Sequence, residues 1–257
     1  MLTISKSLVS LQSRLIFGKP VRIRPVTLGR YRDQYRVATH QLIRPGGAIL
    51  EGWSSCPIAA PIKRVAIYFG GRNENVAWVP DISSHVPATA IYAFNYRGFG
   101  GSTGYPSEYL VKLDALAIHA YVHGHEPSFA SVPLALIGRS LGTAVALSLC
   151  NYALPSTLVL MSPFESVRHL LRRLPGGRGL APLLRQTFDC TSLVSTAPAK
   201  SLILLAQDDR LVPHESSLSL ADHFPRRPHV AVISATNHKT LPRAMASQAA
   251  ISSFLTS

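Results

Sequence analysis

Leu134-Ala135-Leu136-Ile137-Gly138-Arg139-Ser140-Leu141-Gly142, running straight into an apolar stretch that ends at Tyr152, decides the fold. The four apolar residues at its start read as a strand covered on both faces. Leu141 to Tyr152 reads as a helix, and the residues between follow the pattern G-x-S-x-G. A serine on a sharp strand-to-helix turn needs neighbours without side chains, because the turn is crowded and strained. The start of the helix aims backbone N–H groups at negative charge developing beside the serine. Ser140 is therefore the candidate nucleophile, and Leu141 supplies one N–H of a candidate oxyanion hole.

Outward from this unit the same rhythm repeats. Val65 to Phe69 and Ala90 to Phe94 precede it as apolar strands, and Leu158 to Met161, Leu202 to Leu205 and Val230 to Ile233 follow it. Continuous apolar runs of this kind are expected of strands buried on both faces. Helical stretches at Tyr109 to Val122, Glu215 to His223 and Arg243 to Phe254 alternate with them. The fold class is thus α/β, with a mainly parallel central sheet and helices on both faces. Tyr35 to Ile43 and Ala48 to Ser54 flank Pro45-Gly46-Gly47 as an N-terminal antiparallel hairpin. The rhythm breaks between Ser162 and Ala199, which carries Arg168, Arg172, Arg173, Arg178 and Arg185 around Pro175-Gly176-Gly177. This interval is expected to form a small cap at about 163–199, offering Phe164, Leu170, Leu171, Leu174 and Leu180 to an apolar group above Ser140.

A serine at its normal pKa is a weak nucleophile and needs a base within hydrogen-bond reach, held in turn by a third group. The strand Leu202 to Leu205 runs into Asp208-Asp209, and the strand Val230 to Ile233 runs into Ala235-Thr236-Asn237-His238. Ligands in open α/β sheets gather at the carboxyl ends of the strands. Three strand ends therefore deliver a serine, a carboxylate from Asp208 or Asp209, and the His238 imidazole to one edge. The loop after Val65 to Phe69, with Gly70-Gly71-Arg72, can bring the second oxyanion N–H, from Arg72 or Gly71.

These motifs carry a resemblance. Tyr96-Arg97-Gly98-Phe99-Gly100-Gly101-Ser102-Thr103-Gly104-Tyr105-Pro106-Ser107-Glu108 resembles the DYRGYGxSxGxPSE loop of the BEM46-like α/β-hydrolases. Ser162-Pro163-Phe164-Glu165-Ser166 is similar to their SPF-x-S segment, and Asp209-Arg210-Leu211-Val212-Pro213 to their D-x-x-V-P acid motif, which favours Asp209 over Asp208. Phe69 to Val76 resembles their FHGNAxNI loop, with Gly70 in place of His and Arg72 in place of Asn. Asn95 stands where Asp is usual. The resemblance covers roughly Tyr35 to the C-terminus. It implies an α/β-hydrolase fold and a serine hydrolase cleaving ester or thioester bonds through an acyl-enzyme, with Ser140, Asp209 and His238 as its triad.

Composition bounds the remainder. The 257 residues suit one domain, 35–257, preceded by a basic segment, 1–34. That segment has no acid before Asp33, and Ile4, Leu8, Leu11 and Leu15 recur at helical spacing, which predicts a basic helix flanking the domain. Net charge is +13, but the arginines are scattered and no nucleic-acid-binding signature accompanies them, so no nucleic acid is expected. The expected partners are an acylated small molecule or other ester and, through the basic segment, an anionic membrane surface. Cys56, Cys150 and Cys190 form no CxxC pair and point to a reducing, cytoplasmic setting, peripheral to a membrane where the basic segment engages one. No cofactor or metal is implied; His119, His123 and His125 lack a carboxylate or cysteine set and read as a helix terminus. The rival readings are a binding protein that keeps the fold without catalysis, and a basic adaptor at a membrane surface.

Overall fold

The structure, a computed structural model, describes residues 11–18 and 33–257. An eight-stranded sheet runs in the order β1-β2-β4-β3-β5-β6-β7-β8. β1 (Tyr35–Ile43) and β2 (Ile49–Pro57) form the expected hairpin, with Ile43 opposite Ile49 across the glycine turn, and β2 joins β4 antiparallel. β3 (Arg64–Phe69), β4 (Thr89–Phe94), β5 (Leu134–Arg139), β6 (Thr157–Met161), β7 (Ser201–Ala206) and β8 (His229–Ile233) are all parallel. The parallel array places the carboxyl ends of β3, β5, β7 and β8, and the loops that follow them, on one edge.

Because side chains alternate along a strand, β3 feeds two cores. Val65, Ile67 and Phe69 pack with Leu136 and Leu158 and with Leu147 of α3 (Leu141–Ala153) on one face. Ala66 and Tyr68 pack on the other with Ile137, Val159 and the Ile251 and Leu255 of α7 (Met245–Thr256). α2 (Glu108–His125) starts where Ser107 accepts a hydrogen bond from the Leu110 N–H, and packs beside α3. α6 (His214–Ala221) links β7 to β8.

Four departures from the sequence reading matter. β8 is the sheet's edge, with Val230 and Val232 38% and 52% exposed, so its apolar run does not signal cover on both faces. Between β3 and β4 lies a buried 3₁₀ stretch, Val76–Ser84, whose Pro80 and short length hide it from a helical-period search. The cap is built of two short helices, α4 (Val167–Arg172) and α5 (Gly177–Leu180), joined to 3₁₀ turns.

The fourth concerns the N-terminal helix α1, whose described residues are 11–17. Leu11 and Leu15, two of the apolar positions at helical spacing, are 57% and 66% exposed, whereas Gln12, Ser13, Ile16 and Phe17 are buried. Ile4 and Leu8 lie outside the described residues. The polar pair turns inward because the surface beneath is polar. Gln12 Nε2 donates to the Leu183 carbonyl and its Oε1 accepts from the Arg185 N–H, both at 2.9 Å, while Gln186 Nε2 donates to the Ser13 hydroxyl at 2.8 Å. A buried polar group is tolerated only when so partnered, and here the partners belong to the cap. Phe17 completes the seat, edge-on to Tyr96 and Phe188. No helix among the described residues is long and apolar enough to cross a membrane.

Candidate active site

Ser140 sits at the junction of β5 and α3 with φ 49° and ψ −117°, a region non-glycine residues rarely occupy. Its N–H donates to the Met161 carbonyl at 2.8 Å and its carbonyl accepts from the Thr143 hydroxyl at 2.6 Å, so both flanks of the turn are tied down. The glycines of the pattern are required by space. A Cβ on Gly142 would come within 2.0 Å of the Phe69 carbonyl oxygen, and one on Gly138 within 2.6 Å of that of Gly142.

The structure brings the three predicted side chains together. His238, in the loop after β8, places Nε2 3.0 Å from Ser140 Oγ and Nδ1 2.8 Å from Asp209 Oδ2. Asp209 follows β7 and is the carboxylate in contact; Asp208 faces solvent. Asp209 Oδ1 accepts the N–H groups of Leu211 and Val212 at 3.0 and 2.8 Å, and Oδ2 also accepts the Ser162 hydroxyl at 2.7 Å. Burial by itself would raise the Asp209 carboxyl. The His238 hydrogen bond, the Val212 N–H, the His238 charge and the Ser162 hydroxyl together outweigh it and hold the carboxyl below its ordinary range. Ser162 escaped the sequence reading as a site residue. The signal for it was a polar residue directly after the apolar run Leu158 to Met161 of β6, and it too has positive φ, 45°.

The oxyanion side departs from expectation. The Gly71 N–H donates to Glu74 Oε2 at 2.6 Å, so Gly71 is not available to a substrate oxygen. Glu74 folds back three residues to close the loop on itself, which leaves Arg72 as the loop's remaining candidate. Arg72 lines the cavity with Ser140 and Leu141, and Leu141 heads α3, where the first N–H groups lack intrahelical partners. Tyr96 steadies the same loop: burial and the nearby Glu74 keep its hydroxyl protonated, and it donates to the Gly70 carbonyl at 2.8 Å.

Glu74 is the hub of a network that sequence spacing does not reveal. Besides Gly71 it accepts from the Tyr68 hydroxyl and from Trp78 Nε1 at 2.9 and 3.0 Å, and from Arg139 Nη1 at 2.9 Å. Arg139, the variable residue before Ser140, extends Nη2 to the His238 carbonyl at 2.8 Å. One buried ion pair therefore ties the oxyanion loop, the serine turn and the histidine loop to each other. Breaking a buried pair leaves a charge uncompensated, so Glu74→Gln should lower unfolding free energy by about 3 kcal/mol in urea titrations. Adding Arg139→Met should restore much of that stability without restoring kcat, because the His238 tether is gone. Full recovery of kcat in the double variant would show that the tether has no part in catalysis.

A cavity of about 360 Å³ opens beside Ser140, lined mainly by Phe164, Val167, Leu170, Leu171, Leu174 and Leu184 of the cap. Ile16 and Leu15 of α1 close one side and Leu211 and Val212 another. Leu180, expected in the cavity, is not among its walls and is 58% exposed. No three His, Cys, Asp or Glu side chains among the described residues converge as metal ligands.

Comparison with known proteins agrees with this fold. Residues 69–255 match the profile of the Alpha/beta hydrolase family. The lysophosphatidylserine lipase ABHD12 of Danio rerio is 32% identical over 152 residues, 51% of this chain and 38% of that protein. Protein bem46 of Schizosaccharomyces pombe is 34% identical over 83 residues, 32% of this chain and 27% of that one. The chain spans less than half the length of the curated relatives it matches. Among solved structures, the esterase Pf2001 of Pyrococcus furiosus superposes with a TM-score of 0.67 over 93% of this chain and 97% of its own, at 16% identity, a likeness of fold.

Proposed function

Because the chain belongs to the α/β hydrolase family, in its BEM46-like group, we propose that it cleaves carboxylic ester or thioester bonds with Ser140 as nucleophile, His238 as base and Asp209 as the acid that orients the histidine. The observation that carries this reading is the unbroken relay from Asp209 Oδ2 to His238 Nδ1 and from Nε2 to Ser140 Oγ, at 2.8 and 3.0 Å, opening on an apolar cavity.

The steps follow from that geometry. Ser140 Oγ attacks the acyl carbon as its proton passes to His238 Nε2, and Asp209 stabilises the imidazolium through Nδ1–H. The carbonyl oxygen, now anionic, is met by the N–H groups of Leu141 and Arg72. Collapse expels the alcohol or thiol, which takes the proton from Nε2 and leaves an acyl-serine. Water enters, His238 removes its proton, and a second collapse frees the carboxylic acid and restores the Ser140 hydroxyl. The acyl chain lies along Phe164, Leu170 and Leu171, which are among the apolar walls of the cavity.

Cavity size sets the test. At about 360 Å³ the site lies at the small end of ligand pockets. With about 0.8 kcal/mol per buried methylene, kcat/KM on p-nitrophenyl esters should rise about fourfold per added methylene until the cavity is full, then level off. Leu171→Trp should move the plateau to shorter chains while leaving acetate turnover within about twofold. The reading also requires labelling by a fluorophosphonate probe. A chain-length profile that stays flat in wild type and variant would place the acyl group elsewhere.

A further inference from the structure

The mouth of the cavity is not dressed like an ordinary protein surface. Leu11, Leu15, Leu174, Leu180, Leu183 and Leu211 are each between 57% and 66% exposed. They are neighbours. Leu15, Leu174 and Leu211 form part of the cavity wall, Leu11 lies one helical turn from Leu15, and the Leu183 carbonyl is the acceptor for Gln12. Leu180 ends α5, directly before the 3₁₀ turn holding Leu183. Scattered exposed leucines need no explanation, but a contiguous set ringing a cavity does.

The charge around this collar has one sign. From Ser166 to Phe188 there are five arginines and no acidic residue. Arg14, Arg172 and Arg178 are exposed and form no ion pair among the described residues, while Arg173 reaches Glu215 at 3.6 Å across the cap's flank. Leu174 lies beside Arg172 and Arg178, so the surface is divided between protruding apolar side chains and cationic ones. That division matches the acyl and headgroup layers of an anionic bilayer. The α1 helix that carries Leu11 and Leu15 is clamped to the cap by Gln12 and Ser13 through three hydrogen bonds, so its leucines are presented by a fixed element.

We propose that this leucine collar and its arginines form a docking surface for an anionic phospholipid bilayer, oriented so that the Ser140 cavity opens into the acyl layer. An acylated substrate resident in the membrane then reaches Ser140 without crossing water. The proposal takes the Ser140 cavity as the site being served, but the docking itself requires no turnover.

The test therefore uses the full chain carrying Ser140→Ala, sedimented with vesicles of phosphatidylcholine alone or with phosphatidylserine added. Binding is expected with the anionic vesicles and should fall steeply with salt. Arg172→Gln with Arg178→Gln should weaken it about 25-fold, at about fivefold per charge. Leu11→Ser with Leu180→Ser and Leu183→Ser, none of which walls the cavity, should weaken it at least about tenfold. In the chain with an intact Ser140, the same three leucine changes should leave fluorophosphonate labelling and turnover of a soluble acetate ester unchanged, which shows that the fold is kept. Equal recovery with neutral and anionic vesicles, or undiminished binding of the leucine variant, overturns the proposal. Loss of probe labelling in the unmodified protein would overturn the catalytic reading and leave the docking result standing.

Discussion

Ser140→Ala is expected to abolish ester hydrolysis and fluorophosphonate labelling while the protein unfolds at an unchanged temperature. The two halves of this expectation have separate grounds. Removing the nucleophile oxygen removes the covalent route altogether, and in hydrolases of this design such a loss costs on the order of 10⁴-fold or more in kcat. Stability should hold because the Ser140 side chain makes no capping bond to α3, although it stands at the helix N-cap. The strained turn is held by backbone groups, the Ser140 N–H to Met161 and the Thr143 hydroxyl to the Ser140 carbonyl, which alanine retains. Alanine suffers at φ 49° much as serine does, so the variant inherits the strain without adding to it. Residual turnover above about a hundredth of wild type would mean that another group attacks the ester. Thermal unfolding by circular dichroism separates that outcome from simple misfolding.

Asp209→Asn should be nearly as damaging, and Asp208→Asn almost silent. If the side-chain carbonyl of the variant amide keeps the bonds from the Leu211 and Val212 N–H groups, the amide nitrogen faces His238 Nδ1 and the Ser162 hydroxyl. An N–H donor there selects the tautomer protonated on Nε2, which cannot accept the Ser140 proton. The corresponding change in a well-studied protease costs about 10⁴-fold in kcat, and a similar loss is expected here. Asp208 is exposed, and its N–H already donates to the Thr236 carbonyl, so its side chain has no part in the relay. Steady-state kinetics on a p-nitrophenyl ester decides, and greater damage from Asp208→Asn would shift the acid by one residue. There is a matching pH signature. Asp209 titrates lower in the fold than its ordinary value of 3.8, so its ionised form adds stability above that pH. That contribution disappears as pH falls through the folded value, and Asp209→Asn should flatten the acid limb of the unfolding profile.

Much of this site was legible because chain order and sheet order cooperate. Each strand was an uninterrupted apolar run, and a parallel sheet delivers the residue after each run to a common edge, so reading strand ends located Ser140, His238 and the Asp208-Asp209 pair, from which the resemblance of the acid motif singled out Asp209. What escaped depended on distant pairings. Glu74 and Arg139 are 65 residues apart and neither looks unusual alone. The diversion of the Gly71 N–H to Glu74 follows from a side chain folding back within a loop, which no periodicity records. Helical spacing found a stripe at Leu11 and Leu15, but it cannot say which side of a helix meets the protein when the surface beneath is polar. Asn95, set where the loop it resembles has Asp, also makes sense only in three dimensions. Its Nδ2 donates to Glu51 at 3.2 Å and its Oδ1 accepts the Val76 N–H. A carboxylate in its place would face Glu51 with like charge.

The seat of α1 also bears on how the molecule is assembled. Its hydrogen bonds to Leu183, Arg185 and Gln186 join positions 171 to 173 residues apart, so the first described helix has its partners in the last third of the chain. Closing a loop of that size before the intervening elements exist brings an entropic cost with little return. During synthesis the helix leaves the ribosome well before the cap, and Gln12 and Ser13 have no hydrogen-bond partners to settle on until Leu183 to Gln186 have followed. One wall of the cavity is therefore added late, and the pocket becomes whole only after the sheet that positions Ser140 has formed.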